Sequence, residues 1–431
     1  MSKSRSPKLK VNTFIEPSVQ NFDNSTINSK NFFNKKKFAI ISLCIIISII
    51  LIVLSIIYAL KINFSDFFTN VHNAITTNHL VALWLILLLL FIPYKLYVQI
   101  TIYVTRLRRL GIKTSFWESI LYTLTISFLT TISPGNLLVD PYSAFWLRTQ
   151  HVEPYKCGAI TICTMLIWHT IQILITIPSY VIVCMSYNDF VKSNVTSAKL
   201  IFWFVSTGFI VDLITLSILA ILGTSRHIHI WISLLWNRIK KIFHFRYLPK
   251  HHVIYLYMNQ ELLKKEFRKQ FMDWKISIYC VIVLAIHEIF LYFTAAFALK
   301  FSLPKDVDVS ILGVFNAANV AITANKFIPI PGGEYTSQQF LSIFCQVLGK
   351  VKLDDKKEIE HYVNNSVLIW RFVTTYLLSI IGLCGFIVYL THYISQVRKF
   401  RKLIKTKRIL EKKLEIMPFN SQGISKPWKK K

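Results

Sequence analysis

The sequence is short of negative charge. Its 431 residues hold 21 Asp and Glu against 50 Lys and Arg, a formal net charge of +29 at pH 7. It also lacks the signatures of soluble catalysis. No G-x-x-x-x-G-K-[ST] loop is present, so the chain carries no P-loop for ATP. No G-x-S-x-G elbow occurs, and His287-Glu288 is followed by Ile289-Phe290-Leu291 instead of the second His of a zinc-protease helix. The seven cysteines (Cys44, Cys157, Cys163, Cys184, Cys280, Cys345 and Cys384) form no C-x-x-C pair and have no His at ligand spacing. They lie in or beside apolar runs and read as small buried hydrophobes, so neither a disulfide framework nor a zinc site nor any other cofactor is expected.

What is abundant is apolar. Hydrophobic residues make up 53% of the chain, and the mean hydropathy is +0.47. A soluble protein would rarely be so apolar and so basic at once. A polytopic membrane protein accounts for both, because the apolar residues fill the spans and the basic ones line one side. The charge therefore points to anionic lipid headgroups and away from nucleic acid.

Residues 1–37 are polar, end in Lys35-Lys36-Lys37, and read as a disordered basic tail. The apolar run 38–60 is 23 residues long, enough to span, and reads as a retained signal anchor. Further runs cover 80–104, 116–133, 157–186, 199–223, 276–299, 311–328 and 364–394. Two shorter segments, 135–149 and 332–348, each begin at a Pro-Gly: Ser133-Pro134-Gly135 and Pro331-Gly332-Gly333.

Charge decides how these short segments run. If 116–133 crossed the membrane, the loop 224–275 with its eleven Lys and Arg would lie outside. If 116–133 and 135–149 form a hairpin that returns, that loop is inside, together with 1–37, the loop 105–115 with Arg106, Arg108, Arg109 and Lys113, and the basic tail 396–431. Then 38 of the 50 basic residues are cytoplasmic and the outer loops hold eight. The expected fold is an all-α membrane helix bundle over 38–395, with six full spans and two oppositely entering re-entrant hairpins. This arrangement carries the signature of an inverted repeat. It sits in the cell membrane with both termini cytoplasmic. Within the inner loop, 226–247 alternates aromatic and basic residues, as an interfacial helix on anionic lipid or a solvated loop would.

A half-helix that starts inside a membrane leaves its first N–H groups without lipid partners and presents the positive end of its dipole, which suits an anion. Half-helices starting at Gly135 and Gly332 would converge on a headgroup phosphate. Charged residues at membrane depth are functional candidates. Asp140 and Glu334 lie just inside the two half-helices, and Arg371 lies early in the last span. Arg371 suits either a phosphate or a structural pair with Asp140 or Glu334. Lys326 precedes the second break and either neutralises an anion or snorkels. Asp212 and Glu288 read as interhelical hydrogen bonders or a proton relay, and His169 as a core residue.

These segments also carry a likeness. Ser133-Pro134-Gly135 with Asp140-Pro141-Tyr142 and Phe145-Trp146-Leu147 resembles the first signature of the lysylphosphatidylglycerol synthase transmembrane region, the flippase-like domain family. Phe327-Ile328-Pro329-Ile330-Pro331-Gly332-Gly333 is similar to that family's F-[IV]-P-x-P-G-G. Trp370-Arg371-Phe372 with Thr375-Tyr376 and Gly382 resembles its late R-x-x-T-Y…G span. Order and spacing agree over 90–395. The chain departs from the pattern after each break. Asn136-Leu137-Leu138-Val139 replaces small residues, and Gln338 stands where the family has Glu, with Glu334 beside Gly333. A proton-coupled mechanism is therefore not carried over.

The resemblance implies a lipid-translocating domain. In the best-known members it precedes an aminoacyl-transferase domain, which residues 396–431 do not supply, so no lysyl transfer is expected. The expected function is translocation of a phospholipid or glycolipid headgroup, with Pro134, Gly135, Asp140, Pro331, Gly332, Gly333, Glu334, Gln338 and Arg371 lining the site. The rival readings are a membrane enzyme acting on lipid headgroups and a scaffold for a lipid-modifying enzyme partner.

Overall fold

The chain divides into two compact units, residues 1–61 and 62–431. The computed structural model describes residues 79–133, 138–150, 152–188, 198–225, 250–303, 307–325, 334–349 and 356–391, with a few single positions beside them, all in the second unit. The expected first span 38–60, both tails, and most of 226–247 lie outside the described residues.

The described chain is helical and has no strand. The helices are α1 (His79–Arg109), α2 (Phe116–Ile132), α3 (Val139–Thr149), α4 (Pro154–Met185), α5 (Ala198–Thr224), α6 (Lys250–Met272), α7 (Trp274–Ser302), α8 (Ile311–Asn325), α9 (Glu334–Leu348) and α10 (Lys356–Arg371). After α10 the chain makes a π turn over Phe372–Tyr376 and stays helical to residue 391. Five apolar helices are long enough to cross a membrane: Ala82–Arg109, Pro154–Met185, Phe202–Thr224, Trp274–Ser302 and Tyr362–Thr391. Even the shortest, with 23 residues, is about 34 Å long at the α-helical rise, against a hydrocarbon core of about 30 Å. The protein is a polytopic helical membrane protein. Exposed Ile210, Ile214 and Ile218 recur every four residues on α5 and form a lipid-facing stripe.

The short helices form two hairpins. With 17 and 11 residues, α2 and α3 are too short to span in sequence. Near the start of α2, Glu118 accepts a hydrogen bond from Gln150, just past the end of α3 (3.4 Å). The chain has thus returned to the end from which it set out. In the second hairpin, Ser310 N–H donates to the Gly349 carbonyl (3.0 Å), and Gly313 sits so close to the Leu348 carbonyl that a Cβ there would collide with it.

The hairpins enter from opposite ends of the bundle. Trp84 stacks on Phe297, Phe91 meets Phe290, Tyr97 bonds Tyr279 (3.1 Å) and Arg109 pairs with Asp273 (2.7 Å). Rising numbers on α1 meet falling numbers on α7, so the two helices are antiparallel. The first hairpin follows the C-terminal end of α1 and the second follows that of α7, which puts them at opposite ends. Long helix, hairpin, long helix thus occurs twice, with antiparallel leading helices.

Two cores flank this arrangement. One joins Tyr103, Tyr122, Trp146, Cys163 and Cys280 around the first hairpin. The other joins Tyr292, Ala317, Phe344 and Trp370 around the second. Small residues bring the backbones close, as membrane packing favours. Gly382 lies against the Leu124 carbonyl, and Gly208 against Thr323.

Candidate functional site

The second arms of the two hairpins are α3, which starts at Val139, and α9, which starts at Glu334. At the first tip, Ser133 Oγ accepts the Leu138 N–H (2.9 Å), and no side chain caps the helix that follows. Pro134, Gly135, Lys326, Pro331, Gly332 and Gly333 lie outside the described residues, as do the side chains of Glu334 and Gln338. Asp140 stands in the first turn of α3, half-buried, and makes no ion pair among the described residues. The pairing of Arg371 with Asp140 weighed from the sequence is therefore not formed.

Arg371 ends α10. It is 9% exposed, with its guanidinium 4.3 Å over the Trp370 ring. Trp370 is held in turn by its indole N–H, which donates to Thr294 on α7 (2.9 Å). The π turn begins at the next residue. It breaks the regular carbonyl ladder, and Lys95 on α1 donates to the Thr374 carbonyl inside it (3.0 Å). Sequence reading passed over Lys95; its signal was a lone cation inside the apolar run 80–104.

A second polar group gathers side chains from α4, α5 and α7. Glu288 lies 3.3 Å from His287 and accepts the Tyr292 hydroxyl (3.1 Å). Asp212 lies 3.9 Å from His169 and within electrostatic reach of Tyr292. Asp212 and Glu288 are 2% and 1% exposed, so both are interior groups and neither faces lipid. His169 is half-buried beside a carboxylate and is not the plain core residue expected. Aromatic rings of Phe91, Tyr94 and Trp168 surround His287.

An amide network fixes the second hairpin to α4. Asn319 accepts from Thr176 (3.0 Å) and donates to Ser179 (3.0 Å) and to the Ile175 carbonyl (3.1 Å). Asn316 accepts from Ser179 (2.8 Å). These pairings show α4 and α8 antiparallel, because 176 meets 319 and 179 meets 316.

Arg106 was read from the sequence as part of a cytoplasmic loop. It lies in the last turn of α1, and its side chain is wholly buried. Its signal was the spacing Lys95, Gln99, Tyr103, Arg106, which runs a polar stripe along one face of an otherwise apolar helix. Among the described residues no three His, Cys, Asp or Glu are placed to hold a metal ion.

These features define a polytopic helical membrane protein with two opposed hairpins and several buried charged side chains. The chain is similar to two Mycoplasma proteins. It is 24% identical over 396 residues to the uncharacterized MG306 homolog of Mycoplasma pneumoniae, covering 90% of this chain and 97% of that one. It is 24% identical over 382 residues to the uncharacterized MG306 of Mycoplasma genitalium, covering 86% and 94%. No protein-family model and no solved structure matches.

Proposed function

We propose that this protein translocates a phospholipid or glycolipid headgroup across the cell membrane, between the tips of its two hairpins. The observation that carries this reading is the pair of second-arm helices, α3 and α9, each of which starts anew after the turn of a hairpin, the two hairpins entering from opposite ends. Helix N-termini inside a membrane bundle favour an anionic group, and broken helices in corresponding positions mark transport sites. Asp140, Asp212, Glu288, Lys95 and Arg371 put polar groups at a depth where lipid would penalise them, which fits a polar path with acyl tails left in the bilayer. Gly135, Pro134, Pro331, Gly332, Gly333, Glu334 and Gln338 belong to this path as the residues at the breaks. Both termini and the loop 224–275 face the cytoplasm, on the distribution of Lys and Arg.

The test is reconstitution of the purified chain into liposomes with labelled anionic, aminoacylated and glycosylated lipids. Movement of at least one class faster than in protein-free liposomes supports the reading. Protein-free rates for every class would end it.

A further inference from the structure

We infer that Arg106 is the receiving cation for a phosphate group, which binds inside the core of the first hairpin. This deepens the translocation reading and rests on it for the source of the phosphate.

The Arg106 side chain has no exposed surface, and its Nε, Nη1 and Nη2 have no hydrogen-bond acceptor. A guanidinium cannot escape this by losing its proton, since it stays charged under all ordinary conditions. Among the described residues, none in contact with it is an anion. The thiols of Cys163 on α4 and Cys280 on α7 lie against it, and these are neutral, weak acceptors. Tyr103, one turn earlier on α1, stands within reach of both Arg106 and Asp140. It thereby joins the buried cation to the first turn of α3.

Arg106 is not the only buried donor of this core without a partner. Trp146 on α3 is fully buried, and its indole N–H also lacks a partner. Its ring stacks on Tyr122 at 4.1 Å, and Tyr122 packs on Tyr103 at 5.3 Å. A buried permanent cation with no acceptor calls for a ligand that accepts and carries negative charge. A phosphate monoester or diester does both and matches the guanidinium fork. Arg106 lies in the last turn of α1, at the end read as cytoplasmic, where anionic lipid is plentiful.

The full chain in phosphatidylcholine nanodiscs doped with phosphatidylglycerol would be released into a native mass spectrometer, and the retained lipids counted. Wild type should retain phosphatidylglycerol over phosphatidylcholine. Arg106→Gln should lose about tenfold of that preference, with Arg106→Lys between them, because the lysine keeps charge but not the fork. Should Arg106→Gln fail to fold, Cys163→Asp answers the same question. It places a carboxylate beside the guanidinium, and should raise thermal stability while abolishing retention. Inorganic phosphate is the second probe. Displacement of phosphatidylglycerol by phosphate makes the phosphate group itself the recognised element. Arg106-dependent stabilisation by phosphate with no lipid preference makes free phosphate the ligand and still supports the site. Unchanged retention in both Arg106→Gln and Cys163→Asp would overturn the inference. If translocation persisted in those variants, the headgroup path would stand without Arg106.

Discussion

The attachment of the second hairpin to α4 allows a measurement of its strength. Asn319 has no exposed surface and makes three hydrogen bonds to α4, with Thr176, Ser179 and the Ile175 carbonyl. Asn319→Leu keeps the volume and removes all three. Interhelical hydrogen bonds in membranes average about 0.6 kcal/mol, so the loss should be about 2 kcal/mol. Two partners recover in part. Ser179 keeps Asn316 (2.8 Å) and its own Ile175 carbonyl (3.4 Å), and Thr176 can turn to its own helix. The expected cost is therefore about 1–2 kcal/mol. Asn316 supplies an internal standard. It receives one bond from α4 and otherwise donates to Leu312 within its own helix. Asn316→Leu should cost about 0.6 kcal/mol. Unfolding in mixed micelles by titration with dodecyl sulfate, followed by tryptophan fluorescence, would rank the two. If Asn319→Leu cost no more than Asn316→Leu, the network would not be what holds the hairpin to α4.

Three other outcomes are expected. In a background free of native cysteines, Glu118→Cys and Gln150→Cys should both react with an impermeant thiol reagent from the same membrane face; labelling from opposite faces would mean that α2 and α3 cross. Gly382→Val should lower stability by about 1–3 kcal/mol, because a Cβ there collides with the Leu124 carbonyl and forces the last helix off α2; thermal unfolding in detergent would show it. Lys95→Met should cost about 1–3 kcal/mol by stranding the Thr374 carbonyl inside the π turn. The same variant should slow translocation in the liposome assay, and a rate equal to wild type would remove the π turn from the path.

Much of the architecture was legible in the sequence because hydropathy and charge act locally and in bulk. A run such as 276–299 must be helical if it is in lipid, and the loop 224–275 with its eleven Lys and Arg resists crossing. That single constraint forced 135–149 and 332–348 to return. The structure agrees at Glu118–Gln150 and at Ser310–Gly349.

The site was less legible. Asp140 and Arg371 both looked like intramembrane charges, but their spacing in sequence carried no information on whether they meet, and they form no pair. Arg106 was hidden for the opposite reason. Beside Arg108 and Arg109 it looked like one more cytoplasmic cation, and only the packing of α1 against its neighbours buries it. His169 and Asp212 lie on different helices, and their approach to 3.9 Å depends on the packing of α4 against α5.

The sequence by itself determined that the chain is a helical membrane protein and where its helices break. Each of these follows from the transfer of individual segments between water and lipid, a property of the segment alone. Only the tertiary structure decided which charges are buried together and which buried cation stands without an acceptor. Those facts depend on how helix faces rotate toward one another, and helix rotation is set by packing across the whole bundle.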